Sequence, residues 1–231
     1  MDADITMQDD SIQIIAVKRE RKRRGKYFIY AEHQEEAIMS VSEDILIRYN
    51  LLKGQHVTAD RLSEIIRADN RQSAYELALV YLGNKARARK EVERYLLRKA
   101  VEQDDIQAAL DRLEKERIIE DGEYAKRFAQ QSMRSRGKGS LAIRQDLMQR
   151  GISKQQAAEA VMELDQEAEM EAAIRAACRK WPYIKGETRQ RTQKLAMFLM
   201  RRGYPGEIVR KAVNIAIKSE DLDEDGLMLD N

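Results

Sequence analysis

Three stretches of this chain can be laid over one another: LLRKAVEQDDIQAAL at Leu96–Leu110, LMQRGISKQQAAEAV at Leu147–Val161 and LMRRGYPGEIVRKAV at Leu199–Val213. They begin at residues 96, 147 and 199, so the pattern recurs after 51 and then 52 residues. A period of about 50 residues is typical of proteins built from stacked helical units. The sequence therefore predicts a tandem repeat.

Apolar side chains keep the same register in all three copies. Two columns four residues apart are Val92, Ile143 and Leu195, followed by Leu96, Leu147 and Leu199. Two further columns come after a break: Val101, Ile152 and Tyr204, followed by Leu110, Val161 and Val213. Residues three or four apart lie on one face of a helix. Each copy therefore predicts a helix, a tight turn and a second helix.

The turn is best marked in the middle copy. Gly151 stands where a left-handed residue ends a helix, and Ser153 with Gln156 has the spacing of a capping box. Gly203 repeats the stop signal, whereas the first copy has Ala100 at this position. A leading helix before each pair raises the count to three helices per repeat. These leading helices are expected at Tyr75–Leu82, at Tyr124–Met133 after an Asp121 cap, and at Glu169–Trp181.

Composition suits helices that bury a narrow apolar face. Of the 231 residues, 35% are charged, 6% are aromatic and only two are proline, which favours long helices with broad solvated faces. The formal net charge of +2 does not by itself predict nucleic-acid binding.

Cysteine and histidine are too scarce for most kinds of active site. Cys178 is the single cysteine, and the histidines are His33 and His56, which leaves no disulfide framework, zinc-ligand set or catalytic triad. We therefore expect no enzymatic activity, cofactor or metal. The sequence has no apolar run of 18 residues and no signal-peptide pattern at its start. A monomeric, cytoplasmic protein without a membrane segment is expected.

Short β-prone runs precede the repeats. Ile12–Val17, Tyr27–Tyr30 and Ala37–Val41 predict three strands, with turns at Lys22–Gly25 and His33–Glu35. After them the sequence predicts a brief helix that stops near Lys53 and Gly54, and a second helix capped by Thr58.

The chain is expected to divide into five parts. Residues 1–66 form the β-rich module, and residues 219–231 form an acidic disordered tail. The three-helix repeats occupy 67–118, 119–165 and 166–218, and together they predict an elongated, curved array. The first junction is placed at 67–72, where apolar residues thin out.

One column of the repeat is basic in every copy: Lys99, Arg150 and Arg202, each near the end of its helix. Cations there offset the negative end of the helix dipole by about 0.3–1 kcal/mol, which is a sufficient structural reason for them. Alternatively, a regular row of cations matches an acidic partner surface or a phosphate backbone.

Other basic residues form two further candidate sets. A flexible loop carries Arg134, Arg136 and Lys138, lacks an aromatic residue for stacking, and could contact phosphates. Arg87, Arg89 and Arg144 are similar, although surface pairing with residues such as Glu91 and Glu93 explains them as well.

Three segments resemble the RecX family of bacterial regulatory proteins. They are Lys85–Leu113 (KARARKEVERYLLRKAVEQDDIQAALDRL), Asp121–Val161, which contains DGEYAKRFAQQSMRSRGKGSLAIRQDLMQRGI, and Lys194–Val213 (KLAMFLMRRGYPGEIVRKAV). The resemblance runs from about Ala74 to the end of the third repeat, and its middle segment is the most specific. Ala100 departs from the glycine expected at the first turn, and Gly137 replaces an expected proline. The N-terminal extension resembles that of the longer members typical of Gram-positive bacteria.

The resemblance implies a non-catalytic protein that lodges in the groove of the RecA recombinase filament on single-stranded DNA. There it would oppose filament extension, ATP hydrolysis and strand exchange, meeting DNA weakly or within the filament. Two alternatives stay open: a helical-repeat protein that binds nucleic acid directly, and a helical scaffold for another protein.

Overall fold

The structure, a computed structural model, describes residues 11–21 and 25–227, with side chains described as far as Ser219. Within that part of the chain the fold is mainly α-helical, with a small antiparallel sheet near the beginning. The prediction of a helical protein with a β-rich N-terminal module is confirmed. Two compact units are distinguished: unit 1, Met1–Lys85 with Val92–Ile118, and unit 2, Ala86–Glu91 with Ile119–Asn231.

The sheet of unit 1 has the strand order β3-β2-β1-β4. Its strands are β1 (Ser11–Arg19), β2 (Lys26–Ala31), β3 (Met39–Ser42) and β4 (His56–Thr58). The first three match the predicted runs, but β4 was not expected because a run of three residues is too short to establish an alternating pattern. The predicted turn at Lys22–Gly25 falls largely on residues 22–24, outside the described residues.

The helices of the first part of the chain are α1 (Glu43–Arg48), α2 (Ala59–Leu82), α3 (Arg89–Arg98) and α4 (Gln103–Lys115). The Thr58 hydroxyl accepts a hydrogen bond from the backbone N–H of Arg61 at 3.3 Å, so the predicted cap of α2 is confirmed. One face of the sheet packs with α1 and α2 around a core that contains Ile14, Ile29 and Ile65.

No junction interrupts α2 at 67–72, although the loss of apolar residues there predicts one. Buried polar contacts replace apolar ones at this point. Asp69 is buried, where it pairs with the Lys26 ammonium at 2.7 Å and accepts from the backbone N–H of Ser42 at 2.6 Å. Gln72 is also buried and donates to the Asp44 carboxylate at 3.1 Å. Satisfied polar groups of this kind can be buried without an apolar pattern.

Unit 2 is a succession of helices around two apolar cores. The helices are α5 (Asp121–Arg136), α6 (Ser140–Gln149), α7 (Lys154–Met162), α8 (Gln166–Lys180), α9 (Thr188–Arg201) and α10 (Gly206–Leu227), with a short 3-10 turn at Trp181–Tyr183. The column residues Ile143, Leu147, Leu195 and Leu199 are fully buried in these cores. Helix α10 continues through the region predicted as an acidic disordered tail, because no helix-breaking residue precedes Gly226, and residues 228–231 lie outside the described part.

The three repeat turns share a left-handed backbone. Ala100, Gly151 and Gly203 have φ values of +56°, +97° and +85°. A Cβ atom at Gly151 would collide with the side chain of Lys90, and one at Gly203 would collide with Ala142. Ala100 is exposed. Close packing therefore requires glycine in the second and third turns. The first turn is exposed, so alanine is accommodated there.

An acidic side chain of each leading helix accepts a hydrogen bond from the backbone at the start of an earlier helix. Asp121 accepts from Arg89 at 2.8 Å, Glu169 accepts from Ser140 at 2.7 Å, and Asp69 is bonded to Ser42 in the same manner. The expectation that Asp121 caps its own helix is wrong, because Glu120 occupies that position. These carboxylates instead satisfy N–H groups that a helix start leaves free.

Candidate functional site

The loop after α5 is locked onto the turn after α9. The backbone N–H of Gly139 donates to the carbonyl of Arg202 at 2.8 Å, and the Tyr204 hydroxyl donates to the carbonyl of Gly137 at 2.9 Å. Burial raises the pKa of Tyr204, so that its hydroxyl stays a donor. A Cβ atom at Gly139 would collide with the backbone of Gly203. The end of α5 is therefore fixed beside the end of α9.

A groove with a volume of about 620 Å³ lies between the ends of α5, α8 and α9. Its basic residues are Arg134, Arg136, Arg175, Arg179, Lys180 and Arg202. Within the described chain, no acidic residue lines it. We refer to it as the basic groove.

Several cations of the basic groove are available to a partner. Arg175 is paired with Glu171 at 3.1 Å on an exposed face of α8. By contrast, Arg134, Arg136 and Arg179 are exposed and form no ion pair with any residue between 11–21 or 25–219 whose side chain is described. Exposed guanidinium groups can bind carboxylates or phosphates through paired hydrogen bonds.

Two aromatic side chains from distant parts of the sequence complete the groove. Tyr183 is 76% exposed. The Phe198 ring lies 5.9 Å from the Lys180 ammonium and 4.9 Å from the Arg202 guanidinium, measured to the ring centroid. The loop at 134–138 has no aromatic residue of its own, but the fold supplies two rings beside it. The basic groove thus combines cations with surfaces on which a planar group can stack.

Three of the predicted site residues, Arg134, Arg136 and Arg202, lie in the basic groove. Lys138 does not line it and instead pairs with Asp146. Arg144 is half-buried, and its Nε atom has no hydrogen-bond partner among the described residues. The predicted basic loop is therefore divided between the groove and the neighbouring helix.

Arg150 is held by the protein itself. Its guanidinium pairs with Glu91 at 2.7 Å, donates to the Tyr124 hydroxyl at 3.1 Å and lies 4.7 Å from the centroid of Phe128. Burial and the nearby Glu91 carboxylate raise the pKa of Tyr124. These contacts favour the structural interpretation of this member of the basic column.

The remaining predicted residues have different surroundings. Lys99 is exposed in unit 1, with its ammonium 5.7 Å from the Tyr95 ring centroid. Arg89 binds Asp121 through its backbone, and Arg87 is half-buried. The Glu91 carboxylate, expected to pair along its own helix, instead accepts from Arg150 and Tyr124. Equivalent positions in the repeat therefore do not share one environment.

Sequence reasoning missed Arg175, Arg179, Lys180, Tyr183 and Phe198. Arg175 and Arg179 are four residues apart, a spacing that places both on one face of α8. The spacing is visible in the sequence, but both arginines lie outside the three aligned stretches. The approach of Phe198 to the loop after α5 depends on tertiary structure and has no local signal.

The fold defines a helical-repeat protein, and the groove gives it a basic surface. Three family models match the chain: the first, second and third three-helix domains of RecX, at residues 74–113, 121–161 and 167–213. The chain belongs to the RecX family, whose curated members are named regulatory proteins.

Relatives match over nearly the whole chain. The regulatory protein RecX of Halalkalibacterium halodurans is 30% identical over 91% of this chain and 80% of its own length. That of Enterococcus faecalis is 28% identical over 93% and 80%. The similarity therefore extends into the β-rich module, in agreement with the predicted resemblance to longer Gram-positive members.

Two solved structures share the fold. A crystal structure of regulatory protein RecX aligns with a TM-score of 0.73 at 24% identity, over 88% of this chain and 99% of that one. The crystal structure of RecX from Lactobacillus salivarius aligns with a TM-score of 0.59 at 26% identity, over 67% and 99%. Among the described residues, no helix is both long and apolar enough to span a bilayer.

Proposed function

We propose that this chain binds the RecA recombinase filament on single-stranded DNA and restrains its extension, ATP hydrolysis and strand exchange. Membership of a family of regulatory proteins supports the regulatory role. The basic groove supports a contact with an acidic partner surface, because three of its arginines have no ion-pair partner within the described chain. This groove is the single observation that carries the proposed contact.

The groove is suited to a protein partner in shape as well as in charge. Its arginines come from the end of α5 and from α8, two elements held in place by buried helix contacts and by the lock between Gly139 and Arg202. Because the helices that carry these arginines are already held in place, binding has to order only their side chains. The cations also accelerate encounter with an acidic surface.

The experiment measures the rate of RecA ATP hydrolysis on single-stranded DNA while this protein is added well below the RecA concentration. The groove variant is Arg134→Ala, Arg136→Ala, Arg179→Ala. Its matched control is Arg127→Ala, Arg189→Ala, Arg210→Ala, which removes the same charge from exposed positions of unit 2 outside the groove. Wild type and control should inhibit equally, whereas the groove variant should need about tenfold more protein. Absence of inhibition by the wild type would overturn the proposed function.

A second candidate is direct binding of single-stranded nucleic acid in the basic groove. Tyr183 and Phe198 favour it, since aromatic rings beside cations can stack on bases. This candidate predicts affinity for DNA without RecA, falling steeply with salt. It is rejected if the groove variant binds DNA as tightly as the control.

A further inference from the structure

The outer face of the sheet in unit 1 carries aromatic side chains. Along β2, Ile29 and Ala31 are fully buried against the helices, so the alternating residues Phe28 and Tyr30 project from the opposite face. Neither ring belongs to the apolar core of the module, and both are half-exposed. Two aromatic rings are therefore presented side by side on a central strand.

Strand register places a cation beside these rings. Lys18 of β1 is paired with Phe28 of β2, and its ammonium lies 4.8 Å from the Tyr30 ring centroid. Ala16 is paired with Tyr30, and Ser40 of β3 is paired with Phe28 on the other side. Lys18 thus covers one face of the Tyr30 ring, whereas Ala16 and Ser40 are small cross-strand neighbours, and the Ser40 hydroxyl donates to the Glu20 carboxylate at 3.5 Å.

Positive charge is concentrated at the same end of the sheet. Lys18, Arg19 and Arg21 are exposed, and the segment at residues 18–26 contains seven basic residues and one acidic residue. Of the described basic residues, Lys26 is directed inward to Asp69. The exposed Lys18, Arg19 and Arg21 have no ion-pair partner in the described part of the chain. A solvated sheet face alone does not require this combination, since small polar residues serve that purpose without exposing aromatic area.

We propose that the outer face of β1 and β2 binds single-stranded nucleic acid. The bases stack on Phe28 and Tyr30, while Lys18, which shares this face, contacts phosphates and Arg21, just beyond the end of β1, adds positive charge. Exposed aromatic residues on central strands, flanked by cations, provide the two interactions that unpaired nucleotides offer. The proposal does not depend on the proposed action on RecA.

The test measures fluorescence anisotropy of labelled dT30 and U30 oligonucleotides with the full chain in the absence of RecA. The aromatic variant is Phe28→Thr, Tyr30→Thr, because threonine preserves strand propensity. Ile15→Thr is the matched control, since Ile15 is 41% exposed on the same strand pair but has no ring. The aromatic variant should bind both oligonucleotides at least about fivefold more weakly for each ring removed, whereas the control should be unchanged. A preference for one oligonucleotide would assign DNA or RNA as the ligand.

A second measurement locates the contact even if the basic groove also binds DNA. After irradiation, an oligonucleotide that contains 5-iodouracil should be crosslinked to the peptide from Tyr27 to Arg48. Circular dichroism and thermal unfolding check that the variants fold. The proposal is overturned if the folded aromatic variant binds the oligonucleotides as tightly as the wild type, or if crosslinks appear only in other peptides. It is also overturned if the variant loses heparin binding as strongly as oligonucleotide binding, because heparin has no bases to stack. It is also overturned if the variant loses only the effect on RecA, which would identify the face as a protein contact.

Discussion

At the residue scale, Ala100 and Gly151 occupy equivalent turns, but only the turn at Ala100 has space for a side chain. Both have a positive φ, but Ala100 is exposed, whereas a side chain at Gly151 would meet Lys90. A non-glycine residue in the left-handed region costs about 1 kcal/mol. Ala100→Gly should therefore raise the free energy of unfolding by up to about 1 kcal/mol. Gly151→Ala should lower it by at least about 1 kcal/mol. Urea denaturation checks both, and a gain of stability in Gly151→Ala would contradict the account.

Two cations of the basic column, Arg150 and Lys99, should also differ in their effect on stability. Arg150 binds Glu91 and Tyr124 and stacks on Phe128, whereas Lys99 is exposed. Arg150→Ala should lower the free energy of unfolding by about 1–2 kcal/mol, because the half-buried Glu91 carboxylate loses its ion-pair partner and the Tyr124 hydroxyl loses one of its two hydrogen bonds. Lys99→Ala should change it by less than about 0.5 kcal/mol. Equal losses in the two variants, measured by chemical denaturation, would show that the column has one common structural role.

At the element scale, the continuity of α2 can be tested at Asn70. This residue is exposed in the middle of the helix, where the apolar pattern predicts a junction. Proline there should lower the free energy of unfolding by about 3 kcal/mol, because it removes a helical hydrogen bond and clashes with the preceding turn. The control Asn70→Ala should be neutral or slightly stabilising. If circular dichroism and urea denaturation find that Asn70→Pro is tolerated, α2 is two separate helices.

The Asp121 carboxylate, which caps the start of α3, should make the free energy of unfolding depend on pH. Burial raises the pKa of Asp121, although the N–H of Arg89 partly opposes the change. The folded state thus holds the proton more tightly than the unfolded chain, so the contribution of Asp121 to stability falls as pH rises above about 3.8. Asp121→Asn keeps an acceptor for Arg89 without a buried charge. The free energy of unfolding of Asp121→Asn, relative to that of the wild type, should therefore increase as pH rises through this range.

Thermal unfolding between pH 3 and pH 7 makes the comparison, with Asp104→Asn at an exposed position as the control. A difference between Asp121→Asn and wild type that is independent of pH would contradict the assigned cause. A loss as large as that of Asp121→Ala would show that the charge, not the acceptor, stabilises the start of α3.

At the scale of the whole molecule, the sequence predicted those helices and strands whose buried faces follow a regular apolar pattern. The apolar columns predicted the buried faces of α6 and α9, and the alternating runs predicted β1 to β3. The continuity of α2 was missed because buried Asp69 and Gln72 stabilise it through polar contacts, which leave no apolar pattern. Part of the basic groove was missed because Arg175 and Arg179 lie outside the aligned repeats, and because α5, α8 and α9 meet only in the tertiary structure.

The central claim is that the basic groove contacts the RecA filament, and binding to a preformed filament tests it most directly. RecA is assembled on single-stranded DNA with a non-hydrolysable ATP analogue, and the affinity of this protein is measured for the wild type, the groove variant and the charge-matched control. We expect the wild type and the control to bind alike and the groove variant to bind at least about tenfold more weakly. Equal binding by all three proteins would contradict the assignment of the groove.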